Sequence, residues 1–242
     1  MDSNKPVVIH SPDPEKIRSM FSKVAAKYDT ANSVLSVGIH HLWRKKVIQL
    51  SDVKAGMKVL DCATGTGDLA IAFKKAVGPT GSVIGTDFCV EMMETAPAKA
   101  QADQLEIQFE FADVTKLQYD DNTFDITSIS FGIRNVHDPI LALKEMARVT
   151  KPGGKVMILE FGKMDMPIIS PIYNYYAENI LPKLGGIVSG QKEAYEYLQK
   201  SSAAFPSKEN FLKLMRNTDL FAQVSFSTVS FGIAYIYIGV VK

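Results

Sequence analysis

Residues 59–70 read VLDCATGTGDLA: an apolar run closed by Asp61, a small-residue turn, and the opening of a helix. Gly65 and Gly67 allow backbone conformations closed to other residues and let a ligand approach the chain. A helix that starts there points its free N–H groups at whatever the turn holds. Twenty residues past Gly67, a second run, SVIGTD, ends in Asp87. A carboxylate at that place accepts hydrogen bonds from both hydroxyls of a ribose. The two segments together predict a nucleoside site at the carboxyl ends of two adjacent strands.

Two ligands compete for it. GTGDLA fits the G-x-G-x-x-A pattern of dinucleotide sites, which admits a nicotinamide oxidoreductase. Asp61, immediately before the turn, opposes that reading, because an anion there repels a pyrophosphate and attracts an ammonium. S-adenosylmethionine carries an ammonium, a sulfonium and a ribose but no phosphate, so the charge pattern favours it. Asp113 in FADVTKL is placed to take an adenine amino group, with the Val114 N–H for a ring nitrogen, or else it is an ordinary turn aspartate. Ser130 ends a further strand at the edge where open α/β sheets bind ligands.

Around the turn, short apolar runs alternate with helical patterns. KVLDCA, SVIGTD, IQFEFAD, FDITSIS and KVMILEFG read as strands, with helices at 68–77, 90–100 and 138–149. That alternation predicts a parallel sheet covered on both faces. A helix in PSKENFLKLMRNTDLF and two closing strands, AQVSFSTVS and GIAYIYIGVV, complete the chain. Upstream, Ile17, Met20, Phe21, Val24 and Tyr28 recur at helical spacing, with Asp13 as N-cap and Pro14 in the first turn. Trp43, Val47 and Leu50 mark a second helical face. DTANSVLSVGIHH between them is rich in turn formers. Residues 163–204 break the alternation and are aromatic, with Ser170 and Pro171 resembling a helix start. The division expected is one domain over 1–242: a helical cap (1–50), a cofactor-binding half (51–162), a helical substrate cover (163–204), and a last helix with a strand pair (205–242).

Composition sets bounds. A 242-residue chain suffices for one large domain, and a net charge of +1 creates no field for nucleic acid. Cys62 and Cys89 match neither a metal-site spacing nor a disulfide framework, and no His/Cys/carboxylate cluster has ligand spacing, so no metal is expected. The N-terminal residues show neither a signal core nor transit-peptide character, and no apolar run is long enough to span a bilayer. The expectation is a cytoplasmic protein, at most peripheral to a membrane. A homodimer is expected on base rate alone.

FSKVAAKYDTANSVLSVGIHHLWRKKVI, VLDCATGTGDLA, FDITSISFGIRNVHDPILALKEMARVTKPGGKVMILEF and YEYLQKSSAAFP resemble the C-methyltransferases of ubiquinone and menaquinone biosynthesis. SFGIRNVHD is far more specific than the glycine turn. The resemblance spans the chain from about Lys16 onward. It implies the class I methyltransferase fold, a Rossmann-like α/β seven-stranded sheet with an antiparallel last strand. It implies S-adenosylmethionine as cofactor, with Thr66 in the turn, Asp87 on the ribose, Asp113 and Val114 at the adenine, and Ser130 near the methionine side. Thr64 stands where many members have glycine, and Gly162, Lys163 and Met164 replace a common serine–lysine–proline ending.

The reaction implied is methyl transfer to a ring carbon of a prenylated hydroquinone, demethylmenaquinol first and the benzoquinol precursor of ubiquinone as alternative. Another lipid or phenol acceptor, and a cofactor-binding scaffold without turnover, are the remaining readings. A neutral hydroquinone carbon is a poor nucleophile, so the site must draw electron density from a phenolic oxygen onto the ring. Arg134 and Asn135 are the first candidates, the guanidinium to favour a phenolate and the amide to orient ring oxygens. Tyr28, His40, His41 and His137 are candidate proton acceptors; core packing competes for Tyr28, and capping or surface roles for the histidines. The N-terminal helices and the aromatic segment are expected to wall an apolar site and to touch the membrane that holds the substrate.

Overall fold

The computed structural model describes residues 11–36, 38–163, 175–180, 183–186 and 190–242. Seven strands form one sheet in the order β3-β2-β1-β4-β5-β7-β6. They are β1 (Lys58–Cys62), β2 (Ser82–Asp87), β3 (Gln108–Phe111), β4 (Phe124–Ser130), β5 (Thr150–Phe161), β6 (Phe221–Val229) and β7 (Ala234–Val241). β7 runs antiparallel to both β5 and β6, and the other pairs are parallel. The expected class I architecture is therefore the observed one. β1 pairs with β2 on one side and β4 on the other. The strand order reverses there, which opens a crevice at the carboxyl ends of β1 and β4.

Alternation along each strand splits the core between the two faces. Leu60, Cys62, Ile158, Tyr235 and Tyr237 face α7 (Pro139–Val149) and α9 (Glu209–Asn217). Val59, Ile126, Met157 and Ile236 face α3 (Ile39–Ser51) and α4 (Asp68–Val77). Both halves are sealed by large side chains with no exposure, Phe211 on one face and Phe73 on the other.

Three elements differ from expectation. The single helix read over 90–100 is two, α5 (Val90–Met93) and α6 (Ala96–Ala102), because Pro97 starts a new helix in its first turn. The turn formers at 29–36 lie in a helix, α2 (Tyr28–Ser36), which follows α1 (Pro14–Val24) through a 3-10 turn, Ala25–Lys27. Burial outweighs propensity there: Ala31 is fully enclosed, and Ser36 Oγ donates to the Asn32 carbonyl within the helix. β5 begins at Thr150, ahead of the glycine pair, at the price of a register irregularity against β4. As expected, Asp13 caps α1, its Oδ1 accepting the Glu15 and Lys16 N–H groups. The helix start read at Ser170–Pro171 lies outside the described residues. Within the aromatic segment, α8 (Lys192–Ala204) is described. No helix among the described residues is long and apolar enough to cross a membrane.

Candidate active site

The turn after β1 is held from β2. Gly65, at φ +54°, donates its N–H to Asp87 Oδ2 at 2.8 Å, and Cys89 N–H donates to Oδ1 at 2.9 Å. Burial pushes the Asp87 carboxyl up to about 6, against the pull of these backbone N–H groups. Gly67, at φ +82°, admits no side chain, because a Cβ would lie 2.9 Å from that of Ala96 and 3.1 Å from the Phe109 ring.

Above the turn is a cavity whose wall includes Gly65, Asp87, Asp113, Val114, Ser130 and Asn135. Asp113 Oδ1 accepts from Thr115 N and Oγ1 at 2.8 and 2.7 Å, which fixes the carboxyl on the cavity wall. Asp61, Thr66 and Gly67 do not line this cavity. Asp61 lies beneath the turn, fully buried, with Thr64 Oγ1 on one oxygen at 2.7 Å and Ser128 Oγ on the other at 2.6 Å. Burial raises its carboxyl to about 6 as well, with the two hydroxyls opposing. Thr66 points to the cap, donating to Asp29 Oδ1 at 2.6 Å. Lys99 joins Asp29 and Asp68, and Arg44 Nη1 meets Asp68 Oδ2 at 2.9 Å. This network ties α2 and α3 to the start of α4.

A second, larger cavity adjoins the first. Phe21, Tyr28 and Phe131 belong to both walls. The second is lined by apolar side chains such as Met20, Val24, Trp43 and Leu198, with Arg134, His40 and Tyr197 among the polar ones. The stripe Ile17, Met20, Phe21, Val24, Tyr28 thus roofs both chambers. Within the aromatic segment, Tyr176 lines the second chamber and donates to the Leu35 carbonyl, while Ile180 is exposed.

The chambers meet at the end of β4. Phe131 takes a left-handed φ of +56°, uncommon for a bulky residue. Its carbonyl accepts from Arg134 Nη1 at 2.7 Å and from Asn135 Nδ2 at 3.3 Å. Arg134, buried, also donates from Nη1 to Glu160 Oε1 at 2.7 Å. Tyr197 OH donates to Asn135 Oδ1 at 3.1 Å. Tyr197 belongs to the aromatic segment read in the sequence, but neither it nor Glu160 carries a local pattern that marks a site role: they lie 62 and 26 residues from their partners.

The proton-acceptor candidates separate. Burial raises the Tyr28 phenol, so it is un-ionised at neutral pH and offers a hydrogen bond rather than a basic oxygen. Burial, with Arg44 and His41 nearby, lowers His40 to about 4 and keeps it a neutral imidazole. Its Nδ1 contacts Ser36 Oγ. Ser36 already donates to a carbonyl, so His40 Nδ1 supplies the proton of that contact and Nε2 keeps a lone pair. His137 lines the first chamber, whereas His41 lines neither and stacks on His40 at 4.0 Å.

Over residues 10–241 the sequence matches the ubiE/COQ5 methyltransferase family. The chain belongs to that family. It is 66% identical over 233 residues to the ubiquinone/menaquinone biosynthesis C-methyltransferase UbiE of Bdellovibrio bacteriovorus, covering 96% of this chain and 99% of the other. It is 39% identical to the demethylmenaquinone methyltransferase of Staphylococcus aureus, covering 93% and 92%. Among solved structures, a SAM-dependent methyltransferase from Thermotoga maritima superposes with a TM-score of 0.65 at 18% identity, covering 93% of this chain and 100% of that one. The [4+2]-cyclase SpnF does so with 0.66 at 16% identity, covering 95% and 80%. The same fold thus carries a reaction of another class, and it is the family, with the site, that makes this chain a methyltransferase.

The donor set fits S-adenosylmethionine. The buried carboxylate of Asp61 and the half-buried one of Asp87 suit an ammonium and a ribose diol, and the first chamber's wall also includes Asp113, Val114, Ser130 and Asn135. The same carboxylates oppose a pyrophosphate, which disfavours the dinucleotide reading.

Proposed function

We propose that this enzyme transfers the methyl group of S-adenosylmethionine to a ring carbon of a prenylated hydroquinone, with demethylmenaquinol as acceptor. The observation that carries this reading is the pair of chambers: a carboxylate-bearing one for the donor, and a larger apolar one for the acceptor, sharing the wall of Phe21, Tyr28 and Phe131. When bound, the cofactor supplies an electrophilic methyl at its sulfonium. The chain's work is on the acceptor side.

Asp87 holds the ribose, Asp113 and Val114 the adenine, and Ser130 the methionine end. Gly65, Thr66 and Gly67 shape the turn, and the buried charge of Asp61 draws the ammonium from below. The shared wall sets the acceptor ring against the methyl group, which removes much of the entropic barrier. Arg134 donates to a ring oxygen and gains strength as negative charge develops there. Tyr28 donates to the same end of the ring, and Asn135, held by Tyr197, orients a ring oxygen. His40, neutral with a lone pair, accepts a proton. The proton balance is simple: the ring carbon exchanges its hydrogen for the methyl, and one proton leaves to solvent per turnover.

The names of the relatives keep the benzoquinol precursor of ubiquinone as the second acceptor. Peripheral membrane contact belongs to the same proposal. Val34, Leu42, Tyr175 and Phe231 are exposed, and the first three are next in sequence to the chamber-lining Leu35, Trp43 and Tyr176. Absence of flotation with anionic or neutral vesicles, with and without quinone, sinks this part alone.

The deciding test uses methyl-labelled S-adenosylmethionine and a short-chain demethylmenaquinol kept reduced, with mass spectrometry of the organic phase. Label on a ring carbon establishes the reaction. No label with either this acceptor or the benzoquinol, while the cofactor binds, overturns it in favour of a scaffold role.

A further inference from the structure

Glu160 closes β5 beside the 3-10 turn Ile133–Asn135, and the chemistry proposed above gives it no part. It is fully buried and lines neither chamber. Its Oε1 accepts Arg134 Nη1 at 2.7 Å and the Phe161 N–H at 2.8 Å, and Oε2 accepts the Arg134 backbone N–H at 3.4 Å. Burying an ion pair is weak grounds for stability, since the desolvation cost rivals the attraction. A pair kept for structure alone is expected to saturate its guanidinium. This one does not. Arg134 Nε is buried with no hydrogen-bond partner among the described residues, on a side chain only 5% exposed that lines the acceptor chamber.

The remaining contacts fix the fork. Nη1 is shared between Glu160 and the Phe131 carbonyl, and the guanidinium lies over the Phe161 ring at 5.4 Å. With Nη1 and the backbone both anchored, the plane of the guanidinium has little freedom, and the edge that lines the chamber stays at one place. The charge is also balanced. A lone guanidinium in an apolar chamber attracts any anion, whereas a paired one offers a directed hydrogen bond that strengthens only as an acceptor oxygen becomes negative. That is the differential a transition state needs.

Resting on the acceptor-side role proposed for Arg134, we infer that Glu160 is a positioning residue: it anchors Arg134 at Nη1 and at the backbone so that the part of the guanidinium that lines the acceptor chamber is held ready to donate to a ring oxygen of the hydroquinone. Glu160→Asp keeps the charge and retracts the anchor by one methylene; Glu160→Gln keeps the shape and removes the charge. Both are measured beside Arg134→Lys for kcat, for the KM of a short-chain demethylmenaquinol, for S-adenosylmethionine affinity and for melting temperature. The expected result is a kcat lowered about 100-fold in both Glu160 variants, with KM and cofactor affinity within about threefold of the parent. Wild-type kcat in Glu160→Asp, with Arg134→Lys crippled, overturns the role of Glu160 and leaves that of Arg134 standing. Wild-type kcat in Arg134→Lys overturns both. A loss that vanishes on assay well below the melting temperature overturns the positioning role in favour of a structural one. If Glu160→Gln does not fold, Glu160→Asp decides.

Discussion

Asp87 shows how one side chain couples binding to pH. Its oxygens already hold the turn, so its remaining lone pairs are aimed at the cavity. Asp87→Asn leaves the shape and removes the charge. Hydrogen bonds to a charged group are worth about 1.5–3 kcal/mol, so cofactor affinity is expected to fall roughly 10- to 100-fold by calorimetry. The parent makes a second prediction. With the carboxyl near 6 in the free protein, it is ionised at pH 7 and largely protonated at pH 5. Affinity for S-adenosylmethionine is therefore expected to drop by about tenfold or more over that interval, with Asp61, also near 6, adding to the fall in the parent but Asp87→Asn losing the Asp87 share of it. The unliganded fold shows the opposite sign. Its raised carboxyl holds a proton between about pH 4 and 6 that the unfolded chain lacks, so this group's contribution to stability grows as pH falls through that window. A flat affinity profile removes Asp87 from the cofactor site. His40 is tested by His40→Asn, which keeps a donor near Ser36 and removes the basic nitrogen. A kcat about 100-fold lower is expected for loss of a general base, and an unchanged kcat assigns His40 to packing. Asp87 was legible because it closes an apolar run at a fixed distance from a glycine turn. Glu160 and Tyr197 were not, because their partners arrive only when β4, β5 and α8 are brought together.

At the scale of elements, the strands were read within a few residues because alternating burial writes itself into sequence as short apolar runs. α2 was hidden, since Asp29, Thr30, Asn32 and Ser33 favour turns in isolation. Its helix is held by what lies around it. Asp29 receives Thr66 and Lys99, and Lys99 also reaches Asp68 on α4. These groups are partly exposed, so the pairs are worth little globally, of the order of 0.2–1 kcal/mol each. Their effect is local. Lys99→Ala is expected to move the melting temperature by only a few degrees at most. Amide exchange in residues 28–36 should accelerate well beyond that in β1 and β4, which report the core. Uniform acceleration across helix and sheet places the lysine in global stability instead and removes the latch. The helical stripe on α1 was visible, but its purpose was not: a stripe that packs a core and a stripe that roofs a cavity have the same period. Only the structure separates them, through partial exposure of Ile17, Met20, Phe21 and Tyr28 where core residues are sealed.

For the whole molecule, the first chamber is a joint between two bodies of structure. Ile17, Arg18 and Phe21 come from the cap, and Asp87, Asp113 and Ser130 from the sheet edge. A cofactor seated there touches both, so it binds the closed fold and not a state in which the cap has lifted or the chain has unfolded. Mass action then fixes the size of the effect. At 100 times its dissociation constant, a ligand specific for the folded state adds about 2.7 kcal/mol. For a chain of this length that is a rise of roughly 5–10 °C in melting temperature. S-adenosylmethionine is expected to give that rise, and NADH at equal concentration none, since the carboxylates at Asp61 and Asp87 oppose its pyrophosphate. The location of the effect is the sharper reading. Protection from amide exchange should appear in α1 and α2 as strongly as in the turn after β1. Protection confined to the turn would mean that the cofactor sits on the sheet edge without engaging the cap, and that the shared wall of Phe21, Tyr28 and Phe131 forms only when the acceptor arrives.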